Sequence, residues 1–133
     1  MAERVYCLYR GKNQESILMQ KNACHDFTEK KGWNIVGEEQ EIDVSGYKVS
    51  ADTCDKLQRI REAAERGEFD IFLVFMYDRL GRNLNETPFI AEWFTKKGIH
   101  VWSVYEGEII DGVDAERMLD YIRFWQTDEA QKL

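Results

Sequence analysis

The chain has 133 residues, of which 44% are hydrophobic and 13% aromatic, and its 25 acidic side chains outnumber 18 basic ones to give a net charge of -7. That is enough for one domain with a real core, too short for two comfortable ones, and too apolar for a disordered chain. The acidity argues against a free-standing nucleic-acid binder, because such domains usually carry a basic face and the basic runs stop at Lys30-Lys31 and Lys96-Lys97.

Residues 4–9 read as a first strand. A helix follows over 16–31, with Ile17, Met19, Cys24 and Phe27 spread through it, Ser16 as the expected N-cap and Gly32 as the stop. Residues 34–42 form a second strand whose polarity places it at a sheet edge, and 44–53 a loop opened by Ser45-Gly46. Leu57, Ile60 and Ala64 mark one stripe of a helix over 55–66, ended by Gly67. Residues 71–77 are apolar or aromatic without alternation, the pattern of a strand buried on both faces of a parallel sheet. A helix over 86–97 closed by Gly98, a strand over 99–105 and a last helix from 114 to about 131 complete the chain.

This alternation predicts an α/β fold: a mostly parallel sheet of four or five strands with helices on both faces, ending in a long C-terminal helix. The first strand is expected beside both the second and the third. In the last segment Met118, Leu119, Tyr121, Ile122, Phe124 and Trp125 wrap most of the helix circumference. Either part of that surface meets a partner, or the helix is buried in this domain's own core.

The buried strand stops at Asp78-Arg79-Leu80-Gly81-Arg82. Open α/β sheets bind ligands past the carboxyl ends of their strands, and two guanidiniums three residues apart suit phosphate oxygens. The plainer alternative is a surface loop whose arginines pair with nearby carboxylates. Cys7, Cys24 and Cys54 form no CxxC pair, and His25 and His100 offer no ligand spacing, so no metal is expected and the thiols read as reduced. The charged start MAERVYCLYR is unlike a signal peptide and no run approaches the ~20 apolar residues of a membrane helix, which points to the cytoplasm and to no membrane partner.

The pentapeptide after a buried strand resembles the catalytic domain of serine recombinases, the resolvase/invertase family, and other features agree in order. Leu8-Tyr9-Arg10 ends the first strand where the family has an arginine leading into its nucleophile loop. Residues 15–20, ESILMQ, resemble the family's helix-opening E-S-[IL]-x-x-Q, and 41–46, EIDVSG, resemble D-x-G-x-S-G. The resemblance implies a catalytic domain over 1–113, and over 114–133 the start of the long helix that pairs subunits and crosses DNA. It implies site-specific recombination through a 5′-phosphoserine intermediate without cofactor or metal, catalysed by Arg10, Arg79 and Arg82 with Asp78, Glu41 and Ser45. Double-stranded DNA would be held mainly through a region outside this chain, and the 114–133 segment would make a dimer or tetramer. The size suggests the N-terminal catalytic piece of a large serine recombinase.

One departure bears on the chemistry. The family pattern R-x-S-[TS] is here Arg10-Gly11-Lys12-Asn13, with Lys12 where the serine belongs, and a V-S-T-like tripeptide after Arg10 would restore the register. Either that piece of the loop is absent from the sequence as it stands, or this copy has lost its nucleophile. Ser16 as a substitute competes with its expected role as helix cap. Of the family's carboxylate position, Glu41 and Asp43 are both candidates. Two rival readings are a nucleophile-less α/β interaction module that pairs through its last helix, and a small phosphate-ester hydrolase, for which the Cys-x5-Arg loop and a carboxylate cluster are lacking.

Overall fold

The computed structural model describes residues 3–42, 55–77 and 87–109. In chain order they form β1 (Arg4–Gly11), α1 (Gln14–Lys31), β2 (Asn34–Ile42), α2 (Asp55–Glu65), β3 (Ile71–Val74), α3 (Thr87–Lys96), β4 (His100–Ser103) and β5 (Gly107–Ile109). The strands make one sheet in the order β2-β1-β3-β4-β5. All pairings are parallel except β4 with β5, and the register runs through Leu8↔Val74 and Arg10↔Glu41. The expected neighbours of the first strand are those found.

Period-two alternation along β1 divides the core. Val5, Cys7 and Tyr9 point to the side of α1, where they pack with Ile17 and Cys24, together with Ile71 and Leu73 of β3. Leu8 points the other way, joining Phe72, Val74 and Val101 against Leu57, Ile60 and Ala64 of α2 and Ile90 and Phe94 of α3. Helices therefore cover both faces, and β3, buried at all four positions, carries apolar residues on each. Phe72 and Phe94 meet edge to face at 4.6 Å, each burial contributing on the order of 2 kcal/mol. Cys7 and Cys24 are buried thiols on the α1 side, as expected of small core residues.

β2 lies at the sheet edge and alternates exposed with half-buried positions, which explains its polar sequence. The α2 stripe falls as its spacing predicts, with Leu57 and Ile60 fully buried.

Two local expectations are corrected, the N-cap of α1 and the length of β3, and two details are added. The N-cap of α1 is Asn13, not Ser16: its side chain accepts from the Ser16 amide at 2.9 Å, while Glu15 occupies the first turn near the positive end of the helix dipole. Met19 is 47% exposed; the buried stripe is Ile17, Gln20, Cys24 and Thr28. β3 spans four residues rather than seven, because the chain past Val74 is held by side chains and by a few bonds from beyond β4. The short antiparallel strand β5 adds a fifth strand after β4, entered through Gly107 at φ +92°, a left-handed conformation that glycine adopts without steric cost. Gly32 closes α1 in the same region, at φ 74°. Residues 110–133, and with them the expected last helix, lie outside the described residues. No described helix is long and apolar enough to cross a membrane.

Candidate active site

The strand order creates the site. From β1 the chain crosses through α1 to β2 on one side, then through α2 to β3 on the other, so the connections diverge between the carboxyl ends of β1 and β3. Divergence of this kind leaves a crevice where α/β proteins bind ligands. The parallel register of β1 and β3 runs to Leu8↔Val74, two residues before Arg10, and past Val74 the chain continues through Tyr77 to the 78–82 pentapeptide.

Arg10 is 5% exposed. Its Nη2 lies 3.4 Å from Oε2 of Glu41, its register partner on β2. The Arg10 end of that ion pair is buried and the Glu41 end half-buried, so removing one partner costs more than at the surface. Of the two carboxylates the sequence left open, Glu41 is the one that meets Arg10; Asp43 lies outside the described residues.

The backbone of Arg10 is clamped from the helix. Gln20, fully buried on α1, accepts from the Arg10 amide at 3.1 Å through Oε1 and donates to the Arg10 carbonyl at 2.8 Å through Nε2. Nε2 also approaches Ser16 Oγ at 3.2 Å. One amide thus serves both the donor and the acceptor of Arg10, next to the strand's last residue, and ties β1 to α1. The fit is close at Gly11: a Cβ there would lie 2.5 Å from Ser16 Oγ and 2.9 Å from Ser16 Cβ. Gln20 closes the 15–20 motif, but nothing local in the sequence marks its contact with Arg10, which the fold supplies.

Only Lys12 and Asn13 separate β1 from α1, and both are exposed. No hydroxyl side chain stands between Arg10 and Gln14. Ser16 sits in the first turn of α1, half-buried against Gly11 and Gln20. Asp78, Arg79, Arg82 and Ser45 lie outside the described residues, so the pair the structure brings together from the predicted set is Arg10 with Glu41.

Beside the site, β2 carries a row of acceptors for β1 phenols. Tyr9 donates to Glu38 at 2.6 Å and Tyr6 to Glu39 at 2.7 Å; His25 of α1 also meets Glu38 at 2.7 Å. Burial first, then the Glu39 hydrogen bond, raises the Tyr6 phenol, and burial likewise drives Tyr9 far above its ordinary range. Burial pushes the Glu38 carboxyl up, but hydrogen bonds from Tyr9 and His25 outweigh it and leave the group below its ordinary value. Among the described residues no group of three or more His, Cys, Asp or Glu side chains could hold a metal ion.

A crystal structure of the N-terminal catalytic domain of TP901-1 integrase superposes with a TM-score of 0.72 at 22% identity, covering 94% of this chain and all of the other. A resolvase family site-specific recombinase from Streptococcus pneumoniae gives 0.72 at 19% identity, covering 98% and 92%. The C-terminal catalytic domain of ISC1926 TnpA, an IS607-like serine recombinase, gives 0.65 at 22% identity over 91% and 79%. These likenesses establish the fold. No curated protein matches the chain by sequence. The family model described as resolvase, N-terminal domain, matches residues 10–129, and the chain therefore belongs to that family, the catalytic domains of serine recombinases, whose reaction is site-specific DNA recombination.

Proposed function

We propose that the chain serves DNA strand cleavage and rejoining through a 5′-phosphoserine intermediate, with Arg10, Arg79 and Arg82 stabilising the charge that builds on the phosphate. In that step a serine oxygen attacks phosphorus, the bond to the 3′ oxygen breaks, and the serine proton ends on the departing 3′ hydroxyl. Guanidiniums aimed at the non-bridging oxygens lower the barrier, typically by 10²–10³-fold in rate per donor. Asp78 orients an arginine, Glu41 holds Arg10, and Ser45 completes the site from the 43–54 connection. The observation that carries the reading is Arg10 at the switch point, its backbone held by Gln20 and its guanidinium by Glu41. The net charge of -7 leaves the grip on double-stranded DNA to a region outside this chain, and the 114–133 segment to self-association as a dimer or tetramer in the cytoplasm.

A second reading is a nucleophile-less module that pairs with other subunits. The two-residue connection from β1 to α1, without a hydroxyl, favours it. One assay separates the two. A nicked duplex carrying a DNA site that the protein recombines is incubated with the chain joined to a DNA-binding region, and 5′-linked protein–DNA adduct is read on a denaturing gel. A Val-Ser-Thr insertion after Arg10 is expected to form adduct, and Arg82→Ala in that background to lose it at least about a hundredfold. Adduct from the uninserted chain assigns the nucleophile to a serine already present, and its absence makes this copy the silent module. An Arg82→Ala protein that cleaves as well as its parent overturns the site.

A further inference from the structure

β3 ends as a strand at Val74, yet the chain beyond it is held. The amides of Val104 and Tyr105, just past β4, donate to the carbonyls of Val74 at 3.0 Å and Phe75 at 3.2 Å. Two residues on, the Tyr77 amide donates to both carboxylate oxygens of Glu106, each at 3.3 Å. The Tyr77 phenol donates to the Gly107 carbonyl, and its ring, 6% exposed, packs in the core between the sheet, α2 and α3. The residue joined to Asp78 is therefore fixed at its amide, its ring and its hydroxyl.

Glu106 is itself fixed. Ser103, fully buried, donates to Glu106 Oε1 at 2.7 Å and accepts from the Glu106 amide at 2.7 Å. Closing the turn between β4 and β5 requires only the second of those bonds. The carboxylate does something the turn does not need: it reaches Tyr77, 29 residues away in sequence and three past the end of β3, and supplies a charged acceptor to its amide. β5 and the Gly107 conformation keep the turn in place beneath it.

We propose that Glu106 is a positioning residue for the 78–82 segment, its carboxylate setting the backbone from which that segment leaves β3. The inference rests on the reading of Arg79 and Arg82 as phosphate-binding groups. Guanidiniums act on a phosphate only if they are placed to within a fraction of an ångström, and the Tyr77 amide is the last described point of the chain before them. Ser103 acts one step further back, by orienting Glu106.

The test uses the chain labelled on its arginine Nε groups, with inorganic phosphate as the probe and NMR as the readout. Wild-type Arg79 and Arg82 signals are expected to shift together on titration. Glu106→Ala is expected to weaken apparent phosphate affinity on the order of tenfold and to speed hydrogen exchange at the Tyr77 amide. Glu106→Gln, which keeps an acceptor oxygen in place, is expected to restore affinity to within about threefold, and Glu92→Ala on the exposed face of α3 to change nothing. Should Glu106→Ala fail to fold, Glu106→Asp, one methylene shorter, is read in the same way. A merely structural role would lower the melting temperature and leave affinity intact in the cold. Unchanged phosphate affinity in Glu106→Ala or Glu106→Asp overturns the positioning role while the site stands. A wild-type chain in which neither arginine responds to phosphate overturns the site, and the positioning role with it.

Discussion

Replacing Gln20 with leucine removes the clamp on Arg10 while nearly preserving volume. Gln20 is fully buried and makes two hydrogen bonds to the Arg10 backbone, at 3.1 and 2.8 Å. Leucine keeps the packing of the helix but offers neither acceptor nor donor. A buried backbone group deprived of its partner costs about 1–3 kcal/mol, so the two together cost about 2–4 kcal/mol once the better packing of leucine is set against them. For a domain of this size that lowers the melting temperature by roughly 6–12 °C. Urea unfolding followed by tryptophan fluorescence measures the change, and the denaturant slope should stay constant because the unfolded surface is the same. Gln20→Glu makes the comparison: it keeps an acceptor for the Arg10 amide but cannot donate to the Arg10 carbonyl, and it buries a charge, so it should be at least as destabilised. Gln20→Leu within about 0.5 kcal/mol of the parent, at constant slope, would show that the clamp carries no net free energy and would refute the argument.

Gly11→Ala forces a methyl to within 2.9 Å of Ser16 Cβ, an atom that cannot rotate away, and is expected to cost about 1–3 kcal/mol in the same unfolding experiment. The Glu38 carboxyl, facing Tyr9, His25 and Lys21, has a folded pKa below its ordinary 4.5, so its contribution is complete above that value and is lost as pH falls through the folded pKa. Melting temperatures of wild type and Glu38→Gln should accordingly converge below pH 4.5, and a gap that stays constant through that range would count against the linkage. If the 114–133 segment mediates self-association, a Phe124→Ser, Trp125→Ser variant should sediment as a monomer where the parent sediments as a larger species; identical monomers would end that expectation.

The sequence determined the sheet and its neighbours, because those follow from patterns that burial imposes locally. A seven-residue apolar run without alternation reads as a strand covered on both faces, and its first four residues are β3, buried at every position. A polar strand belongs at an edge, where β2 lies, and Leu57, Ile60 and Ala64 at helical spacing face the core as they must. Arg10 was marked by its place at the end of β1 and Glu41 by a motif, but their pairing came from the parallel register of two strands 31 residues apart, which no local pattern encodes. The same limit explains the N-cap: Asn13 and Ser16 are both good capping residues, and the choice fell where β1 and Gly11 let the helix begin. It explains β5, whose three residues carry no period of their own and pair only because β4 lies beside them. Gln20 and Glu106 are the plainest cases. A glutamine on a helix and a glutamate in a turn are unremarkable in sequence; each acquires its role from a backbone amide that the fold brings to it across 10 and 29 residues, since a buried donor must find an acceptor wherever the chain has placed one.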